Sequence, residues 1–140
     1  MNAKEFLRQY ETANKIAHRL EKEYMQEQEL IDSIKSALGG DGMPHGNGIS
    51  KTVEDRAVRL SDKAQKWKKA KLDAVEKRQE VFEVIHDIPG IEGDILIERY
   101  INLLKWEEIC VTVGYSWHGV HQAHRRALNA VQTALDKRRA

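Results

Sequence analysis

Apolar residues recur at alternating steps of four and three from Phe6 through Tyr10, Ala13, Ala17, Leu20, Tyr24, Glu27, Ile31, Ile34 and Leu38, with only Glu27 out of character. That spacing is the seam of a coiled coil and predicts a long helix from about residue 3 to residue 38. The stretch from Gly39 to Gly48 holds too many glycines, and a proline, to continue it. A glycine-rich loop over 39–50 is expected, with Ser50 or Thr52 capping the next helix. The pattern returns as Val53, Ala57, Leu60, Ala64 and Trp67, then changes phase through Leu72, Val75, Phe82 and Ile85, which reads as a stutter in the heptads of a second helix ending near His86. Two such helices joined by a loop pack antiparallel, so residues 1–88 are expected to form a coiled-coil-like helical hairpin. A lone hairpin buries each stripe on one side only, and the surface left over is expected to be covered by a second copy, the alternative being a hairpin that folds back on its own DNA-binding unit.

Asp87-Ile88-Pro89-Gly90 breaks the helical pattern, and residues 89–91 are expected to be a hinge. Beyond it, a helix from about Glu92 to Leu104 would turn Ile95, Leu96, Ile97, Tyr100, Ile101 and Leu104 inward. Trp106, Ile109, Cys110 and Val113 place a second helix's buried stripe, with Glu107 and Glu108 facing water. Gly114 can take positive φ and stop that helix, and Ser116 can cap another. The last helix runs from about Trp117 toward Ala134, with Val120, Ala123, Ala127, Leu128 and Val131 inward. The expected fold is therefore all-α: the N-terminal hairpin followed by a three-helix helix-turn-helix unit over 92–140. Its second motif helix leaves Trp117, His118, His121, Gln122, Arg125 and Arg126 as the candidate DNA-binding set. His118, His121 and Gln122 would read base edges while Arg125 and Arg126 hold phosphates. Trp117 is suited either to stacking on a sugar or base edge or to packing on the neighbouring helix.

Glu107-Glu108-Ile109, then Gly114-Tyr115-Ser116, then Val120, Gln122 and Ala127-Leu128 resemble region 4 of sigma-70-type factors over roughly the last third of the chain. Ile95-Leu96-Ile97-Glu98-Arg99-Tyr100 resembles the helix that precedes the motif in that fold. With the charged N-terminal half and the glycine-rich break, the whole chain resembles small phage and prophage proteins, including the RinA/ArpU-like late-gene regulators. The resemblance implies a transcriptional regulator that binds double-stranded DNA, oligomerises through its hairpin and can contact RNA polymerase. Two departures from the pattern are Gly119 inside the recognition helix, where glycine costs about 1 kcal/mol relative to alanine, and Trp117-His118 where sigma factors usually show arginine and glutamate. Two other readings share these elements: a small-terminase-like DNA-packaging ring, and a sigma-like adaptor that docks on RNA polymerase without binding DNA.

Composition narrows the class further. The 140 residues carry one Cys, two Pro and 32% charged side chains, with no apolar run long enough to span a membrane. Phe6, Leu7 and Tyr10 lie among Lys4, Glu5, Arg8 and Glu11, unlike a signal peptide, and a cytoplasmic location is expected. The net charge is only +1, but from Lys105 onward six basic residues stand against three acidic ones. A modestly basic C-terminal face follows, whose weak single-copy affinity for DNA would gain from oligomerisation. His118, His121 and His124 drift around the helix in steps of three without an acidic or Cys partner, so they are expected to be polar DNA-facing residues and no metal is expected. Cys110 fits a core position, and Lys66, Lys68, Lys69 and Lys71 a solvated face. Glu107 and Glu108 are adjacent and cannot face one another as an acid/base pair. The glycines of 39–48 lack the Lys and Ser/Thr of a phosphate loop, and neither a nucleophile elbow nor a zinc framework is present. An enzyme is not expected, nor a cofactor.

Overall fold

The computed structural model describes residues 1–38 and 47–139, and the protein is all-α, with no strand among those residues. The helices are α1 (Ala3–Leu7), α2 (Gln9–Ala37), α3 (Asn47–Ile85), α4 (Gly90–Leu96, continued by a π turn over Ile97–Ile101), α5 (Trp106–Val113) and α6 (Trp117–Arg139). The expected long first helix is divided at Arg8, after a short α1 capped by Asn2, whose side chain accepts from the Glu5 N–H at 2.9 Å. Most of the glycine-rich loop lies outside the described residues. From Asn47 onward the chain is already helical, so Ser50 and Thr52, expected at the start of this helix, lie inside α3. The length of the downstream helix outweighs the cost of about 1 kcal/mol that Gly48 brings. No described helix is long and apolar enough to cross a membrane.

The chain divides into two compact units, Asn14–Leu72 and Met1–Ala13 with Asp73–Ala140. In the first, Ala17, Glu27 and Ile31 are buried, and Leu20, Tyr24 and Ile34 half-buried, along the seam read from sequence. The Tyr24 ring stacks on Trp67 with centroids 5.4 Å apart. Three residues further along α2, the Glu27 carboxylate meets Arg56 at 3.2 Å and Lys63 at 3.7 Å, so the partners descend along α3 as α2 ascends.

On α3 the expected stutter is absent. Val53, Arg56, Leu60, Lys63, Trp67, Ala70, Ala74, Lys77, Val81 and Val84 are buried or half-buried in unbroken steps of three and four, whereas Leu72, Val75 and Phe82 are exposed. The phase was misread because the inward positions include small alanines and long cationic stems. A lysine or arginine can lay its methylenes along apolar surface and keep its charge at the edge, so the largest hydrophobes are not a sufficient guide to the buried stripe. Glu27 in α2 belongs to the same logic, since its partners occupy inward positions of α3.

The second unit holds all of the largest fully buried side chains: Leu7, Val81, Ile85, Ile95, Leu96, Ile109, Val120 and Val131. One cluster joins Leu7 of α1, Val81 and Ile85 of α3, Leu96 and Ile101 of α4 and Val131 of α6. Residues 1–13 and 73–85, read from sequence as part of the N-terminal module, thus pack with the C-terminal helices. The Ala3 N–H donates to Gln132 Oε1 at 2.9 Å, and Arg138 donates to the Glu83 carbonyl at 3.3 Å. A second cluster joins Ile95, Ile109, Val120 and Ala123, with Trp106, Cys110 and Val113 packed on it. Pro89, expected in a hinge, stands in extended backbone directly before α4, and Gly90 is that helix's first residue. Gly93 is obligatory for this entry: a Cβ there would overlap the Ile88 carbonyl oxygen.

Helix α4 serves both clusters: Ile95 packs in the second, and Leu96, Tyr100 and Ile101 in the first. Ile95 and Tyr100, like Leu96 and Ile101, are buried pairs five residues apart. In an α-helix such pairs diverge by about 140°. The widened turn, closed by the Asn102 N–H on the Ile97 carbonyl at 2.9 Å, brings residues five apart onto one side. Its exit is tight: Leu103 takes φ 57°, a left-handed conformation that is rare for a leucine, and the Arg99 side chain donates to the Leu104 carbonyl at 2.9 Å.

Candidate nucleic-acid interface

Helix α5 ends where Gly114 adopts φ 72° and ψ 27°, with its N–H bonded to the Cys110 carbonyl at 3.0 Å. Glycine takes this left-handed conformation without a Cβ penalty, which is why it ends helices. Tyr115 follows, and then Ser116, whose Oγ accepts from the Gly119 N–H at 3.1 Å and so caps α6. Gly119, a departure from the resembled pattern, has a local reason here. A Cβ at this position would lie 3.2 Å from Ser116 Oγ and 3.5 Å from the Tyr115 ring, tightening the cap.

Beyond the turn, Val120 and Ala123 are fully buried against Ile95 and Ile109, so the opposite side of α6 is set outward. His118, Gln122 and Arg125 are exposed there at steps of four and three, and Asn129 extends the same stripe. Trp117 is 53% exposed and rests against the His121 ring, with centroids 4.5 Å apart. His121 is half-buried between Trp117 and Trp106, the latter at 4.7 Å. Its Nε2 is buried and has no hydrogen-bond partner among the described residues. Arg126 donates to the Glu92 carboxylate at 2.8 Å, and this hydrogen bond holds the Glu92 carboxyl below its usual range. The six candidates therefore share one helix but not one environment. Trp117, His118, Gln122 and Arg125 face solvent, His121 is wedged between rings, and Arg126 is already paired.

His124 does not face outward as expected. It is buried, with Nε2 2.8 Å from the Tyr100 hydroxyl and its ring edge-on to Trp106 at 4.7 Å. Burial, reinforced by the positive field of His121, Lys4, Arg99 and Arg8, lowers its pKa to about 4. At neutral pH the imidazole is uncharged and can accept from the Tyr100 phenol, which burial keeps protonated by raising its pKa. The three histidines of α6 thus diverge, and no group of His, Cys, Asp or Glu able to hold a metal ion occurs among the described residues. The alternation of Ala123, Ala127 and Val131 carried a signal for His124, since it lies next to Ala123 on the inward arc. Its polarity masked that signal. Trp106 packs on the second cluster and takes the Arg99 guanidinium on its ring at 4.7 Å.

No protein-family model, curated protein or solved structure matches the chain.

Proposed function

We propose that the protein is a sequence-specific, double-stranded DNA-binding transcriptional regulator whose α5, turn and α6 act as a helix-turn-helix. The observation that carries this reading is the capped three-residue turn Gly114-Tyr115-Ser116 followed by a helix with a buried Val120–Ala123 face and an exposed polar stripe of His118, Gln122 and Arg125. In such a unit the N-terminal part of the second helix enters the major groove, where Gln122 can bond adenine bidentately and Arg125 a guanine or a phosphate. Resemblance of the same residues to sigma-70 region 4, and of the chain to RinA/ArpU-like proteins, supports regulation of phage or prophage genes. The helical hairpin, with Tyr24 on Trp67 and Glu27 between Arg56 and Lys63, is proposed as the element through which copies associate.

One observation supports the polymerase-docking alternative. On α5, Glu107 and Glu108 are exposed beside Val111, which is 83% exposed. An acidic surface around an unprotected apolar residue suits a protein partner better than it suits DNA.

Binding of the purified protein to a pool of short genomic fragments at two salt concentrations, with the complex mass recorded, tests these readings. The regulator predicts enrichment of one partly symmetric sequence by a dimer. Gln122→Ala should relax the preference, and Arg125→Ala should weaken all sequences and flatten the salt dependence. A ring of eight or more copies would transfer the reading to DNA packaging, and polymerase binding without enrichment would transfer it to an adaptor.

A further inference from the structure

A cavity of about 170 Å³ opens within the unit formed by residues 1–13 and 73–140. Its wall brings together three permanent cations from two distant parts of the sequence: Lys4 of α1 with Arg8 just after it, and Arg99 of the π turn. Against them stands one carboxylate, Glu11. Neither the Lys4 ammonium nor the Arg8 guanidinium makes an ion pair or hydrogen bond within the described residues. Arg99 spends one donor on the Leu104 carbonyl and lies on Trp106, which leaves other N–H groups of its fork unassigned. His121 and His124 line the same cavity, and His121 holds the unpartnered Nε2.

Like charges gathered from distant segments repel, and a fold that collects them without neutralising them creates a potential minimum for an anion. Three cations and one carboxylate leave an excess of two positive charges before any histidine is counted, enough for a phosphate group, which carries about −1.5 to −2 as a monoester at neutral pH and a single charge as a DNA diester. The volume admits a phosphate group. Arginine forks suit its tetrahedral oxygens, and the π turn, a feature frequent at functional sites, supplies Arg99 and the Tyr100 hydroxyl to one wall. We propose that this cavity is a phosphate-binding site, held chiefly by Lys4, Arg8 and Arg99 with a histidine donor, and that its occupation ties the N-terminal residues to α4 and α6. The proposal rests on groups apart from the exposed stripe of His118, Gln122 and Arg125 and shares only His121 with the candidate DNA-contacting set. The phosphate can be free or part of a DNA backbone, and the two sources are separable.

The full chain is melted in increasing inorganic phosphate and in chloride of matched ionic strength, while the histidine side-chain NMR signals are followed. The expected result is a saturating rise of the melting midpoint, on the order of 5 °C, with shifts of the His121 and His124 resonances. The His124 titration should also move upward, since an anion offsets the field of Lys4, Arg8, Arg99 and His121 acting on it beside Glu11 and Tyr100. Both Lys4 and Arg8 are exposed, so Lys4→Gln with Arg8→Gln should keep the helical fold, judged by circular dichroism, and lose the saturating rise and the histidine shifts. Phosphate also stabilises proteins generally by exclusion from their surface, and that unsaturated component should remain in the variant. If free phosphate is silent but a short DNA duplex shifts the same histidines, and the double variant abolishes this, the site takes a backbone phosphate. An equal response in the variant, or no histidine response to either probe, overturns the proposal. Loss of sequence-selective DNA binding with the phosphate response intact would defeat the regulator reading alone.

Discussion

The two compact units solve the problem of burial differently. In the unit of residues 1–13 and 73–140, branched and aromatic side chains from α1, α3, α4, α5 and α6 meet in two clusters at almost zero exposure. Among the described residues of 14–72, only Ala17 and Ile31 are buried apolar side chains, and the centre of the seam is a carboxylate with two cationic partners. A multi-helix core draws its stability from transferred apolar area, roughly 25 cal/mol per Å². A two-helix seam has little area to transfer, and a charged group in it contributes alignment more than energy, as buried polar residues do in coiled coils.

This contrast is open to direct attack. The largest effect is expected in the first-named unit. Ile109→Ala should cost roughly 2–5 kcal/mol in chemical denaturation, through lost transfer energy and an unfilled cavity. Gly93→Ala should be at least as severe, because the Ile88 backbone cannot rotate away from the added methyl. A loss below 1 kcal/mol for both would mean that this core is loosely packed. In the seam, Glu27→Ala should cost about 1–2 kcal/mol, since Arg56 and Lys63 are near enough to the surface to recover hydration. Glu27→Leu should be neutral or stabilising and, if copies associate through the hairpin as proposed, should broaden the distribution of oligomers measured by light scattering, as the charged register is erased. Unchanged homogeneity in Glu27→Leu would remove the alignment role.

Next in size is a pH effect confined to the multi-helix unit. His124 has a folded pKa of about 4 against an ordinary 6.5, so below pH 6.5 the unfolded chain takes up a proton that the folded one refuses. Stability from this group is complete above that value and falls as pH drops toward 4. Denaturant midpoints of the wild type should therefore decline more steeply over that window than those of His124→Gln, and parallel curves would contradict it. The smallest effect belongs to Arg126→Ala. Its pair with Glu92 is largely solvated, and the expected stability loss is under about 1 kcal/mol by thermal melting. If DNA binding is as proposed, Arg126→Ala should also weaken it less than Arg125→Ala, whose charge has no partner to leave.

Local periodicity made much of this legible. The α2 seam, the Gly114 and Ser116 positions around the turn and the inward face of α6 all follow from spacing and from the conformational needs of single residues. What failed were the inferences that equated inward with hydrophobic. Leu72, Val75 and Phe82 were assigned to the stripe that Ala70, Ala74 and Lys77 occupy, and His124 was assigned to the surface. Long-range destinations were also hidden. Nothing local to Ala3 or Leu7 announces that they pack near Gln132 and Val131, because that depends on the path of four intervening helices. The candidate phosphate site was invisible for the same reason: Lys4, Arg8 and Arg99 form no motif in sequence.

The π turn of α4 has a consequence for how this protein can vary. The π turn absorbs one residue more than ordinary winding would hold, so Leu96 and Ile101, five apart, face one side as residues four apart do in an α-helix. Deleting one residue between them should let the turn close into ordinary winding with both still inward, whereas inserting another should rotate the side chains that follow away from α1 and α6. Residue number in this segment is thus tolerant in one direction only, and a deletion harms the cavity chiefly when the residue it removes is Arg99 or Tyr100.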